Sequence, residues 1–194
     1  MKPRPVYYGC LLFLGFFVFI IAYSIKLGDG YYIVDSIKFI LLMIIFYWQY
    51  ERLNFSPWIF FGLGVVMTLH DFGRFGAFNW TLGIFSWDML THFAASFIIA
   101  IALFAALSKI EMPAFWKGAM IFFIALGIAT LGEFAEFGGA IKTPDGKGIL
   151  GVESLGSPIP WLSPDYWDTM KDLVLNAAGS LIGIAAWLLR KRHS

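Results

Sequence analysis

From Val6 to Ile25 the chain runs for about 20 residues without a charge, the length of apolar helix needed to cross a bilayer's hydrocarbon core. A secretory signal has a shorter apolar region and a small-x-small cleavage site, and the IAYSIKLGDG that closes this run supplies neither. The segment therefore reads as a retained membrane helix. Composition says the same of the whole chain: 59% of the 194 residues are hydrophobic, mean hydropathy is +0.75, and 14% are charged, against about 25% in soluble domains. A net charge of +1 with no basic patch gives nucleic acid nothing to bind. The single cysteine, Cys10, excludes an intramolecular disulfide and a cysteine-based metal site.

Further apolar runs, bounded by turn and capping residues, predict an all-α, polytopic bundle of about six transmembrane helices. They lie at about 6–25, 31–50, 57–70, 87–107, 115–137 and 164–189, in one integral domain without internal repeats. Tyr31, Tyr32, Tyr47, Trp48 and Tyr50 mark the ends of the second helix, where amphipathic rings prefer the interface. Asp35 and Lys38, one turn apart within it, read as a helix-side ion pair. Residues 71–87, rich in aromatics and glycine, read as an interfacial or re-entrant loop. Gly138 and Gly139 are expected to stop the fifth helix. Residues 140–162 form a loop, and Ser163, Pro164 and Asp165 open the sixth helix as cap, first-turn proline and first-turn acid.

With both termini inside, the inner loops and tails hold Lys2, Arg4, Arg52, Lys109, Lys117, Arg190, Lys191 and Arg192, twice the basic residues of the outer side with Lys26, Arg74, Lys142 and Lys147. The expectation is an inner-membrane protein, N-in and C-in, with the 140–162 loop outside. In that topology His70 and Asp71, Asp88 and His92, Glu133 and Glu136, and Asp165, Asp168 and Asp172 all fall at the outer ends of their helices. Inverting the orientation would keep them together.

Spacing sharpens this convergence. Asp88 and His92 are four apart, Glu133 and Glu136 three, Asp168 and Asp172 four, so each pair occupies one helix face. On the sixth helix Asp165, Asp168, Asp172, Asn176, Gly179 and Gly183 form one stripe, polar at one end and small at the other. Ala125, Ala129 and Ala95 extend the small-residue theme to the fifth and fourth helices and predict close approach. Charge at membrane depth costs on the order of 2.5–3.5 kcal/mol per group unless paired, hydrated or metal-bound. Glu133 and Glu136 also stand at a helix C-terminus, where the dipole opposes negative charge, so something positive is expected beside them.

His92, Asp88, Glu133, Glu136, Asp168 and Asp172 are the candidate metal ligands, with Glu133 and Glu136 as candidate catalytic bases. Asn176, Lys171, His70 and Asp71 are supporting residues, Lys171 as a neutralising charge and Asn176 as an interhelical hydrogen-bond partner. Asp88 and Asp165 also suit a purely capping role in their first turns. WDMLTHF at 87–93, GEFAEF at 132–137 and YWDTMKDL at 166–173 resemble the signature blocks of the YjdF-type inner-membrane protein family. More remotely, the Asp168, Asp172, Asn176, Gly179 run is similar to VanZ-like proteins. Neither resemblance implies a particular reaction.

Three function classes follow. Oxygen ligands with an imidazole suit Mg, Mn, Zn or Fe(II), and such a cation supports a hydrolase or transferase acting on a lipid-linked or amphiphilic substrate. The same acids also suit a proton or cation relay in a transporter, though the six helices lack the repeats common in such proteins. A non-catalytic scaffold is the third class, and buried charge is a poor device for it. Membrane lipid is the expected partner in each.

Overall fold

The computed structural model describes residues 3–28, 30–82, 85–142 and 164–192. The chain is an all-α membrane protein: α1 (Arg4–Leu27), α2 (Gly30–Gln49), α3 (Pro57–Asp71), α4 (Trp87–Ala106), α5 (Ala114–Lys142) and α6 (Pro164–Arg192). All but α3 are long and apolar enough to cross a membrane. At 15 residues, α3 rises about 22 Å, short of the ~30 Å hydrocarbon core.

Local chemistry explains the ends. Gly28 takes the left-handed conformation that closes α1, its N–H bonding back to the carbonyls of Ile25 and Ser24. Prolines stand at the first turn of α1 and α3, where the missing N–H costs nothing. Ser86 caps α4 by accepting from the Met89 amide at 3.2 Å. At the end of α4 the Lys117 ammonium donates to the carbonyls of Leu107 and Ile110, the former also accepting from the Ile110 amide, so the helix end is closed by a side chain and a turn. The diglycine does not stop α5, which continues to Lys142. Each glycine weakens a helix by only about 1 kcal/mol, and neither is obliged to leave it. Residues 140–142 are therefore helical, and the remainder of the expected outer loop, with Ser163, lies outside the described residues.

The expected loop at 71–87 is more structured than its composition suggests. Two 3₁₀ turns, Phe72–Phe75 and Ala77–Asn79, lead into β1 (Thr81–Leu82) and β2 (Phe85–Ser86), a two-residue antiparallel ladder. Arg74 lies over the rings of Tyr23 and Tyr32, 5.5 and 5.6 Å from their centroids, tying this connection to α1 and α2. The Trp87 indole donates to the Leu69 carbonyl at 2.9 Å, fixing the start of α4 against the end of α3.

Lipid has no preference for burying leucine in protein, so packing rather than water exclusion must bring these helices together. Rings and sulfur fill the interface of α1, α2 and α3 against α4, among them Phe13, Phe17, Phe39, Met43 and Phe60. A smaller core of Ala100, Phe104, Ile121 and Ile184 joins α4, α5 and α6, with Trp187 stacked on Phe104 at 5.8 Å. Outward positions are apolar too: Leu12, Phe123, Leu131 and Val174 are all more than 60% exposed, as in a helix facing acyl chains.

The backbones of α4 and α6 come close together. A Cβ added at Gly179 would stand 2.3 Å from the Phe93 carbonyl oxygen, and one at Gly183 would stand 2.5 Å from that of Phe97. Four residues apart, the two glycines form the small-xxx-small face that lets backbones touch. This contact sets the register in which the polar ends of α4 and α6 meet.

Candidate functional site

α4 begins with Asp88 and His92 one turn apart, and α6 brings Asp168, Asp172 and Asn176 down the facing stripe. Locked together by Gly179 and Gly183, the two helices place His92 Nε2 3.5 Å from Asp88 Oδ1 and 3.7 Å from Asp172 Oδ2. A cation about 2.1 Å from each ligand spaces neighbouring ligands about 3.0–3.4 Å apart, so a small contraction of this group would accommodate one. Glu133 arrives from α5, its Oε1 4.0 Å from His92 Nδ1. Asp88, Asp172 and Glu133 are all buried.

Lys171 sits in the middle of the acids. Its ammonium donates to Asp168 Oδ1 at 2.6 Å and Asp88 Oδ2 at 3.1 Å, and lies 3.5 Å from Asp172 Oδ1. Three carboxylates thus share one lysine. Asp172 Oδ1 is buried and accepts no hydrogen bond. With only the long Lys171 contact, this oxygen is under-satisfied in low dielectric, a cost that a further donor, proton or cation would relieve.

Asn176 controls His92. Its Nδ2 lies 3.2 Å from His92 Nδ1, and its Oδ1 accepts from the Ser96 hydroxyl at 2.6 Å. With the amide turned this way Nδ1 accepts and the ring proton sits on Nε2, facing Asp88 and Asp172. With the amide reversed, Oδ1 takes the proton of Nδ1 and Nε2 presents a lone pair to the same carboxylates. Ser96 serves both arrangements, because a hydroxyl donates and accepts. One amide flip therefore converts a neutral imidazole that donates from Nε2 into one that presents a lone pair there, the kind of outer-shell control that fixes histidine tautomers.

The sequence-derived residues are distributed unevenly. His92, Asp88, Asp172, Glu133, Asn176, Lys171 and Asp168 are brought together. Asp88 is more than a cap, since Ser86 caps α4 and Asp88 contacts Lys171. Glu136 and Asp165 lie on α5 and α6, but their side chains are outside the described residues. His70 and Asp71 contribute to a different group.

That second group is built from α2 and α3. His70 Nδ1 is 2.8 Å from Asp35 Oδ2 and 3.8 Å from Asp71 Oδ1, and Ser36 Oγ donates to Asp71 Oδ2 at 2.6 Å. Lys38 pairs with Asp35 as expected from their spacing, but Asp35 is 1% exposed and also faces the imidazole. It belongs to a buried network rather than to a helix-side pair. Counting spans would have found it, because Asp35 near the start of the second helix falls at the same end as His70 near the close of the third.

A cavity of about 610 Å³ joins the two groups. Lys38 and His70 line it from α2 and α3, His92, Glu133 and Asn176 from α4, α5 and α6. The far end is lined by Leu53, Phe55 and Ala106. Elsewhere its walls are mostly aliphatic and aromatic.

The chain belongs to the family of predicted membrane proteins DUF2238, whose model matches residues 8–193, and the YjdF-type resemblance is to this family. Nothing supports the remoter likeness to VanZ-like proteins. No curated protein and no solved structure matches the chain.

Proposed function

We propose that this member of the DUF2238 family holds a divalent cation between Asp88, His92 and Asp172 and uses it on the polar part of an amphiphile seated in the adjoining cavity. The observation that carries the reading is the double membership of His92, which stands in the ligand-spaced group and in the wall of an apolar cavity. The cation would polarise an ester or phosphoryl oxygen and activate water or an alcohol as nucleophile. Glu133, beside Nδ1 and so on the far side of the imidazole from the cation, would take the nucleophile's proton through an intervening water and return that proton to the leaving alkoxide. Glu136 is held in the same role as a second base, one turn further along α5. Lys171 and Asp168 hold Asp88 in place.

A relay across the membrane is less well supported. It needs polar stepping stones along its path, whereas the far end of the cavity is lined by Leu53, Phe55 and Ala106. The orientation that accompanies the proposal is N-in and C-in in the inner membrane, with both polar groups toward the outer side.

Metal analysis of detergent-purified protein, grown with Mg, Mn, Zn and Fe supplied and kept from chelators, tests the reading. About one divalent ion per chain is expected in the wild type, and Asp172→Asn should lose it while remaining monodisperse. Wild-type protein that is metal-free and shows no binding heat with any of the four ions would end the proposal.

A further inference from the structure

The two polar groups stand at one end of the bundle, and the opposite end is basic. Among the described side chains there, Arg4, Arg52, Lys109, Lys117 and Arg190 outnumber Glu51 and Glu111. That end holds a second cavity, of about 670 Å³, bounded by the starts of α3 and α5 and the ends of α4 and α6. Ile59, Phe104, Trp187 and Leu188 supply its apolar wall. Lys117 and Arg190 line it too, and among the described residues no acid does.

Three features suit this cavity to an anion. Lys117 gives two of its three donors to the Leu107 and Ile110 carbonyls, neutral acceptors that leave its charge uncancelled. Arg190 lies over the Trp58 ring, 5.5 Å from its centroid, a contact that holds the guanidinium beside the cavity. The third feature is the start of α3. Pro57 has no N–H to give, the Trp58 amide makes no backbone hydrogen bond, and the N-cap Ser56 makes no side-chain cap bond. The Ser56 hydroxyl is buried without a hydrogen-bond partner. The positive end of a 15-residue helix is thus left without a side-chain cap.

Depth in the membrane decides between a soluble anion and a lipid. Trp58 and Met112 line the cavity and are exposed, and so are Phe115 and Trp116 in the first turn of α5. Aromatic rings at the ends of membrane helices mark the headgroup level. We propose that this cavity holds the headgroup of an anionic phospholipid, its phosphate facing Lys117, Arg190 and the start of α3. A choline headgroup would bring a further cation to a wall that carries two cations and no described acid. In the N-in, C-in orientation the lipid belongs to the cytoplasmic leaflet, whose anionic headgroups attract basic residues at helix ends. The inference is independent of the cation reading, whose residues lie at the other ends of α4 and α6.

Native mass spectrometry of the full chain tests it. Detergent-purified protein would be offered phosphatidylglycerol and phosphatidylcholine with the same acyl chains. One phosphatidylglycerol per chain should be retained several-fold more often than phosphatidylcholine. Arg190→Gln and Lys117→Gln should each remove that preference. Arg52→Gln and Lys109→Gln should keep it, because these exposed cations share the basic end but do not line the cavity. Lys117 also closes α4, so Arg190→Gln, which leaves that closure intact, is the deciding variant, read at a melting temperature matching wild type. Equal retention of both lipids by the wild type, a preference that survives Arg190→Gln, or one lost equally in Arg52→Gln or Lys109→Gln would overturn the inference. Displacement of the lipid by inorganic phosphate alone would also overturn it, in favour of a soluble-anion site.

Discussion

Replacing Gly179 with alanine should be among the most disruptive single-methyl changes in the chain. The added Cβ would stand 2.3 Å from the Phe93 carbonyl oxygen and 3.1 Å from its carbon, against 3.4–4 Å for ordinary contact. The overlap is therefore about 1 Å, and every atom it meets is backbone. No rotamer change relieves it, so α4 and α6 must separate. Overpacking of this kind costs about 1–3 kcal/mol or more, only partly offset by up to about 1 kcal/mol of improved helix propensity. Gly127→Ala is the matched control, because nothing lies within 4 Å of its added Cβ and propensity alone should stabilise it by about 0.5–1 kcal/mol. The two variants should move melting temperature in detergent in opposite directions. Separation should also pull Asn176 from His92 and Asp172 from the imidazole, so Gly179→Ala should weaken cation binding where Gly127→Ala does not. If both variants melt alike, the α4–α6 contact is not the register-setting one, and the reasoning fails at its first step.

Four other expectations follow from the same geometry. Glu133→Gln should abolish activity or cation binding with little loss of folding, whereas Asp165→Asn, in the first turn of α6, should change stability by no more than about 0.3–1 kcal/mol; equal, small effects on melting temperature and metal content would count against a site. Asn176→Leu removes the group that sets the His92 tautomer and should lower cation affinity about 10–100-fold, with Asn176→Asp retaining most of it, as read by titration calorimetry. Asp35→Asn breaks a buried network and should destabilise the fold by about 3–5 kcal/mol, yet leave cation stoichiometry unchanged in the protein that folds. A cysteine at position 145, in a Cys10→Ala background, should react with impermeant maleimide from the outer side; reaction only from the cytoplasm would reverse the proposed orientation.

Much of the first polar group was legible because spacing and span counting carry through a helical bundle. Asp88 with His92, and Asp168 with Asp172, share faces by helical period, and alternation of spans puts those faces at one end. What periodicity does not show is lateral distance. His70 and Asp71 fall at the same end as His92, but α3 packs them against α2, so they meet Asp35 and Ser36 instead. Ser96 was hidden for a different reason: a lone serine on an apolar helix acquires meaning only when Asn176 is seen opposite it. Gly138 and Gly139 were misleading, since glycine permits a helix end without compelling one.

The brevity of α3 carries a consequence beyond packing. Five helices fit a bilayer of ordinary thickness, while α3 falls about 8 Å short of it. The described part of the connection that follows, residues 72–82 and 85–86, consists of short turns and a two-residue ladder, in sequence between His70 and Asp88. Mismatch between helix and bilayer costs only fractions of a kcal/mol per Å, but here it falls beside the connection linking the two polar groups. Because the Trp87 indole holds the start of α4 to the Leu69 carbonyl and Arg74 lies over Tyr23 and Tyr32, a change in membrane thickness should move this connection as one piece with the helix ends it joins, carrying both polar groups together.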